Sequence, residues 1–419
     1  MNDAGARDAA ARSANQLRLL LEELCCDLCR FEHARCDGAA PGAVEIDREV
    51  YMGSSGAFAD IRVRPPGSPP YFVEVKYGYP DEILARHLAR KYGREAGAAL
   101  EGANRLVVVV DSAGRGDWPR RLQEISGGLA PGLAVEVWDE EEFLRRLREC
   151  FGIEVESITT EDLIDVRHAI DRAKGYHAFG APSREEYEHD PLKEELLWHF
   201  GFWRLRELRE RHAMGPREML VPGVYRNAVV LLADMCSFSS FMRDTPDAEV
   251  TRESLTTFYS MARDQIINRG GMLYQFVGDE VIGMFGIPEP DESGPSRALA
   301  TARSLLSVGA SVSHHWQRHF DRVQPSGGLH IGMAQGDVQI VSLRPYSRTH
   351  VGALGDCINV AARLMASAGP GEIVATNSLY RRFEAADRAA FTEIEPAEAK
   401  NVGRISAWKT RLPHFAGGA

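Results

Sequence analysis

Met272-Leu273-Tyr274-Gln275-Phe276-Val277-Gly278-Asp279-Glu280-Val281-Ile282-Gly283-Met284-Phe285 reads as two short strands, 272–276 and 280–285, folded back through a Gly-Asp turn. The turn places a carboxylate at its tip. Upstream, Val229-Val230-Leu231-Leu232-Ala233-Asp234 is an apolar strand that ends in a second carboxylate. Outward from these two segments the pattern runs strand 228–234, helix 248–269, the hairpin, helix 294–320, strands 328–334 and 337–341, helix 356–368 and strand 372–375. This order predicts an α+β domain over 221–419 with a βαββαβ core.

The preceding chain divides into two further stretches. Residues 1–150 alternate helices (14–35, 81–92, 118–125, 140–150) with strands (59–64, 71–75, 105–111, 134–138), the pattern of an α/β domain. The first two strands flank the turn-forming Pro65-Pro66-Gly67-Ser68-Pro69-Pro70. Residues 151–220 are charged and helical, a predicted linker. Within it, Leu192, Leu196, Leu197, Phe200, Trp203, Leu205 and Leu208 follow helical spacing over 191–212, which suggests a coupling element or a dimer helix. Gly215-Pro216 and Pro222-Gly223 end the linker.

The 419 residues carry a net charge of −11, which argues against a broadly basic nucleic-acid or membrane surface. No apolar run approaches the ~20 residues that span a bilayer, and the start of the chain has no signal-peptide pattern, so a cytoplasmic protein is expected. Seven cysteines, odd in number and unevenly spread, fit a reducing compartment. Cys25, Cys29, His33 and Cys36 would share one helix face, but they lie on an amphipathic stripe where cysteine acts as a small hydrophobe. No second CxxC pair completes a zinc site, and no metal is assigned there.

Asp234 ends a strand and Asp279 tips a hairpin, so the two carboxylates could converge on one sheet edge. Hard divalent cations take such oxygen ligands. Glu280, next to Asp279, is expected to face the other side of its strand and to be structural. Farther on, Gly355-Asp356-Cys357-Ile358-Asn359-Val360-Ala361-Ala362-Arg363-Leu364 sets Asn359 and Arg363 four residues apart, on one helix face. Together these segments resemble the class III nucleotidyl cyclases, which close a nucleoside triphosphate into a 3′,5′-cyclic monophosphate.

The resemblance covers about 190 residues and implies a ferredoxin-like cyclase domain over 221–419. It implies that Asp234 and Asp279 bridge two Mn²⁺ or Mg²⁺ ions per active site, helped by a backbone carbonyl of the Met235–Cys236 turn. Backbone N–H groups around Ser237 and Phe238 would meet the phosphates. Asn359 would orient the ribose, Arg363 would stabilise the transition state, and Lys400 would hold the triphosphate. In the family these helpers come from the partner subunit, so a homodimer is implied.

The positions that choose the base depart from the family. Gln275 stands where adenylate cyclases usually carry lysine, three residues before the Gly-Asp turn. Gly352 stands where they usually carry Asp or Thr. An adenine would leave two edges unpaired, while the Gln275 amide donates and accepts, as O4 and N3–H of uracil require. The chain is similar in this to the bacterial Pycsar pyrimidine cyclases. UTP is thus the expected substrate and cyclic UMP, read by a separate effector protein in antiphage defence, the expected product. Cytidylate or relaxed adenylate cyclisation are the alternatives. Tyr225, Tyr274 and His350 are candidate packing partners for a small base.

In the first domain, Asp60 on one strand and Glu74-Val75-Lys76 on the next resemble the PD-(D/E)xK nuclease core. Glu74 and Lys76 share a strand face. The resemblance implies a possible second metal site at Asp60, Glu74 and Lys76, or a sensor of nucleic acid. A protein led by a nucleic-acid-processing half, with the cyclase half as nucleotide sensor, is the reading from another class.

Overall fold

Six consecutive residues, Ala228–Ala233, are buried, so the strand that carries Asp234 is covered on both faces. The computed structural model describes residues 3–53, 57–79, 81–111, 118–159, 161–180, 190–245, 248–320, 327–342, 351–399 and 403–412. The chain separates into two compact units, 1–187 and 188–419.

The first unit opens with helix α1 (Asp3–Cys36), followed by β1 (Glu45–Tyr51), β2 (Phe58–Arg64), β3 (Tyr71–Val75), α2 (Asp81–Tyr92), β4 (Arg105–Val109), α3 (Trp118–Gly128), β5 (Ala134–Trp138), α4 (Glu140–Phe151) and α5 (Leu163–Phe179). Its five-stranded sheet runs β1-β2-β3-β4-β5, antiparallel through β3 and parallel from β3 to β5. Cys25, Cys26 and Cys29 are buried on α1, as small hydrophobes should be. The His33 ring bonds Asp37 and, at 3.1 Å, the Tyr71 hydroxyl.

The second unit begins with α6 (Pro191–His199) and α7 (Phe202–His212). The expected single amphipathic helix breaks at Phe200–Gly201, where a side chain on residue 201 would crowd the Trp203 indole and the Ile267 carbonyl. The helices expected as a linker therefore divide, α5 into the first unit and α6 and α7 into the second. His199 Nδ1 donates to the Leu273 carbonyl at 2.6 Å, and Arg263 donates to the Leu197 and Trp198 carbonyls.

There follow β6 (Gly223–Met235), α8 (Phe238–Asp244), α9 (Ala248–Ile267), β7 (Met272–Val277), β8 (Glu280–Phe285), α10 (Gly294–Phe320), β9 (Leu329–Ser342), β10 (Val351–Leu354), α11 (Asp356–Ser367), β11 (Glu372–Thr376), β12 (Thr392–Ala399) and β13 (Gly403–Arg411). The sheet order is β12-β13-β11-β9-β6-β8-β7, with β10 beside β9. Within it, β9-β6-β8-β7 is the antiparallel 4-1-3-2 order of a βαββαβ core, as the sequence predicts. The two strands expected over 328–341 are one continuous β9, because a bulge in β6 between Tyr225 and Ala228 absorbs the irregularity.

Alternation fixes the two faces. Gly283 on β8 abuts Ile266 of α9, and Gly309 of α10 abuts Leu329 on β9, so α9 and α10 cover one face. Gly332 and Gly336 on β9 lie against Ala361, Met365 and Cys357, so α11 covers the other face over β9 and β6. A second bulge, between Leu273 and Gln275 on β7, sets Gln275 opposite Ile282. That turns Gln275 to the face away from α9.

Candidate active site

Asp234 lies at the end of a buried strand whose neighbours hold it on both sides, with His330 opposite it on β9. The His330 Nε2 lies 3.1 Å from Asp234 Oδ2. Asp279 is held by the hairpin, in which Gly278 adopts φ +64°, a value that glycine takes without steric cost. The Tyr259 hydroxyl of α9 donates to the Gly278 carbonyl and stacks its ring on Phe276 at 4.2 Å. Trp198 of α6 meets Phe276 edge-on at 6.3 Å. The hairpin tip is thus braced by α6 and α9.

These supports set the two carboxyl groups close enough that the Asp234 charge acts on Asp279. Burial, and then the Asp234 charge, push the Asp279 carboxyl up to about 6. Two carboxylates this close, half-buried and without a neighbouring lysine or arginine partner among the described contacts, form a donor pair that fits a divalent cation. Among the described residues no three His, Cys, Asp or Glu side chains form a metal cage. The Cys236 thiol is raised to about 12 by burial and by the charges of Asp234 and Asp279, which places the Met235–Cys236 turn beside the pair.

Glu280 corrects the sequence expectation. Pairing of Ala233 with Val281 sets Glu280 across from Asp234, on the same face. Its carboxyl is raised by burial and then by Asp234, with His330 opposing. His330 and Glu280 are therefore the neighbours that sequence reading missed. The partner of Asp234 lies 96 residues away in an antiparallel strand, and no local signal announces it.

Ser237 stands in the left-handed region at φ 60° and opens α8. Phe238 is buried against Phe241 and Trp316, with centroids at 5.9 and 5.6 Å, so its ring belongs to the core. Asn359 and Arg363 are both exposed on α11. No described hydrogen bond or ion pair joins either of them to Asp234 or Asp279 within the chain. Gln275 is exposed, and Gly352 is buried on β10. The Ala353 N–H donates to the Tyr274 hydroxyl at 3.0 Å, which ties the strand of Gln275 to that of Gly352. Tyr225 instead exchanges hydrogen bonds with the Val221 backbone. Lys400 and His350 lie outside the described residues.

No family model matches the chain. It is 27% identical over 175 residues to the uncharacterized protein Rv1320c of Mycobacterium tuberculosis, a match covering 41% of this chain and 28% of that one. The uncharacterized protein Rv1318c of the same organism is 26% identical over 173 residues, covering 40% and 28%. The chain thus spans less than a third of the length of these relatives. Among solved structures it is similar to the guanylyl cyclase Cya2, at 21% identity over 47% of this chain and 98% of that chain, with a TM-score of 0.39. It is similar also to the adenylyl cyclase CyaB from P. aeruginosa, at 17% identity over 46% and 97%, TM-score 0.37. A third is the guanylate cyclase domain of RhGC from Catenaria anguillulae in complex with GTP, at 18% over 45% and 99%, TM-score 0.36. These structural neighbours are guanylyl and adenylyl cyclases.

Proposed function

We propose that the second unit is a nucleotidyl cyclase that converts UTP to 3′,5′-cyclic UMP and pyrophosphate. The observation that carries this reading is the convergence of Asp234 and Asp279 at one sheet edge, brought together from segments 45 residues apart in sequence by the β6-β8 pairing. When bound there, two Mn²⁺ or Mg²⁺ ions polarise the attacking ribose oxygen and neutralise the triphosphate. Asp234 and Asp279 hold the cation site, and His330 fixes the orientation of the Asp234 carboxylate through its 3.1 Å contact. The Tyr259 contact at Gly278 keeps the hairpin tip, and with it Asp279, in place.

Ring closure also needs donors aimed at the charge that builds on the phosphorus oxygens. Asn359 and Arg363 present such donors on the exposed side of α11. A second copy of the chain would bring them to the aspartate pair, giving two equivalent sites per dimer. Lys400 is assigned to the triphosphate by resemblance alone. Exposed Val277 beside the hairpin and Leu354 at the end of β10 are apolar surface suited to that contact.

Gln275 faces outward on the same side of the sheet as Asp234, and its amide supplies the donor and acceptor that a uracil edge needs. Gly352 offers no side chain to a purine amine. The first unit we read as a regulatory module of nuclease-like architecture, supported by its mixed sheet and by the meeting of Asp60, Glu74 and Lys76. A role as alarm generator in antiphage defence, with a separate effector reading the product, completes the proposal. The test is product separation after incubation with equal ATP, GTP, CTP and UTP and Mn²⁺. Cyclic UMP should dominate. Dominant cyclic AMP ends the pyrimidine assignment, and no cyclic product from any of the four ends the cyclase assignment.

A further inference from the structure

The first unit holds a buried charge cluster that the cyclase reading does not use. Asp60 on β2 and Glu74 on β3 meet where the Asp60 N–H donates to Glu74 Oε1, and Lys76 lies just past the end of β3. To these α2 adds Lys91 and Tyr92, which no motif in the sequence singles out. Both lysines are nearly fully buried, at 7% and 6% exposure, and Glu74 is wholly so.

Every carboxylate oxygen of the pair already has a donor. Asp60 Oδ2 accepts from the Val75 N–H at 2.9 Å and from Lys76 Nζ at 2.6 Å, and Oδ1 accepts from Lys91 Nζ at 3.2 Å. Glu74 Oε1 accepts from Lys91 at 3.0 Å, from the Tyr92 hydroxyl at 2.6 Å and from the Asp60 N–H at 3.3 Å. Glu74 Oε2 accepts from Lys91 at 2.9 Å and lies 2.5 Å from Lys76 Nζ. Lys91 alone touches three of the four oxygens. Two carboxylates and two ammonium groups cancel, so the cluster is neutral without any added ion.

We infer that Lys91 is the built-in counter-ion of the Asp60–Glu74 pair and closes the first unit to divalent cations. A cation seated between the carboxylates would take the position of the Lys91 ammonium. That ammonium sits on a helix packed into the core, so once displaced it would be a buried charge with its partners taken. The resulting site would carry two surplus positive charges in a low-dielectric interior. The Lys91 ammonium is ion-paired with both carboxylates, at 3.2 Å from Asp60 and 2.9 Å from Glu74, so its charge has partners only where it now sits. Metal-activated hydrolysis of a phosphodiester is therefore closed to this unit, although its nuclease-like sheet is retained. This inference does not depend on the cyclase reading.

The test uses the full chain carrying Asp234→Asn and Asp279→Asn, which removes the carboxylate pair of the second unit. Mn²⁺ is titrated in and followed by the loss of its free-ion EPR signal. No saturable binding is expected with Lys91 in place. Adding Lys91→Met should create binding of one ion per chain, and adding Glu74→Gln to that variant should abolish it. Saturable Mn²⁺ binding in the presence of Lys91 that disappears in Glu74→Gln would overturn the inference. So would a folded Lys91→Met chain that still takes no Mn²⁺, because something else would then close the site. The arm with Lys91 intact changes nothing in the first unit, so it decides even where the Met variant does not fold. As a parallel readout, the unmodified chain should not nick supercoiled DNA in Mn²⁺; nicking that Glu74→Gln abolishes would equally refute it.

Discussion

Replacing Asp279 by asparagine separates a metal-binding role from a merely structural turn, because the two roles change stability in opposite directions. In the cation-free chain the Asp279 carboxyl titrates near 6 rather than 3.8, since burial and the Asp234 charge oppose its ionisation. Its folded-state pKa is raised, so the folded chain binds the proton more tightly than the unfolded chain. The stability from this group is full below about pH 4 and is lost as pH rises toward 6 and above. At about 1.36 kcal/mol per pH unit the full shift amounts to about 3 kcal/mol, which partial solvent exposure reduces to about 1–2 kcal/mol. The asparagine amide cannot ionise and keeps the hairpin geometry. In EDTA at pH 7.5 the variant should therefore melt higher than the native chain by about 2–8 °C in the transition of the second unit, with the difference fading toward pH 4. Excess Mn²⁺ should reverse the order, since ligand at about 100 times its Kd adds about 2.7 kcal/mol only where the ligand set is intact. The assay is scanning calorimetry of the full chain at two pH values, with and without Mn²⁺. A variant that melts lower in EDTA at pH 7.5, or that gains as much from Mn²⁺ as the native chain, refutes the assignment of Asp279 to a cation site.

Three further outcomes test the proposed site and its supports. An equimolar mixture of Asp279→Asn and Arg363→Ala chains, each inactive alone, should recover about a quarter of native turnover, because half the dimers are mixed and each holds one intact site; a cyclase assay of the mixture that stays at background would exclude sharing between subunits. Gly332→Ala would drive a methyl group into the backbone of Ala361 and Met365, so α11 should shift and the second unit should lose about 3 kcal/mol in denaturant titration, with turnover falling alongside. Tyr259→Phe removes the hydrogen bond to Gly278 but keeps the stack on Phe276, so stability should fall by only about 0.5–1.5 kcal/mol while the Mn²⁺ concentration at half-maximal activity rises.

The sequence exposes most of the core and only part of the site. Strand 71–75, helix 81–92 and strand 134–138 coincide with the observed elements, because each has one unambiguous hydrophobic period. Strand β1, by contrast, is not legible: Glu45-Ile46-Asp47-Arg48-Glu49-Val50-Tyr51 looks solvated, yet Asp47 and Arg48 are buried, bonded to Arg62 and Glu22 on distant segments. The aspartate pair can be found because each member ends a recognisable strand or turn. The side on which Glu280 lies cannot be read, since it depends on pairing with β6 rather than on Asp279 beside it. Lys91 has the same character: its role is set by where α2 lands on the sheet, not by spacing along the chain.

The extra residue accommodated in β7 makes that strand behave as a reading frame. Leu273 and Gln275 would otherwise share one side of the sheet, and Gln275 would turn toward α9 while its neighbour looked outward. Removing Tyr274, the unpaired residue, would leave Leu273 opposite Gly283 and Gln275 opposite Ile282 in an unbroken ladder, so Gln275 would keep its outward face while the Tyr274 hydroxyl that holds the Ala353 N–H would be lost. The face that Gln275 presents is therefore set by pairing with β8, and a one-residue change of length at Tyr274 breaks the tie to β10 before it turns Gln275 around.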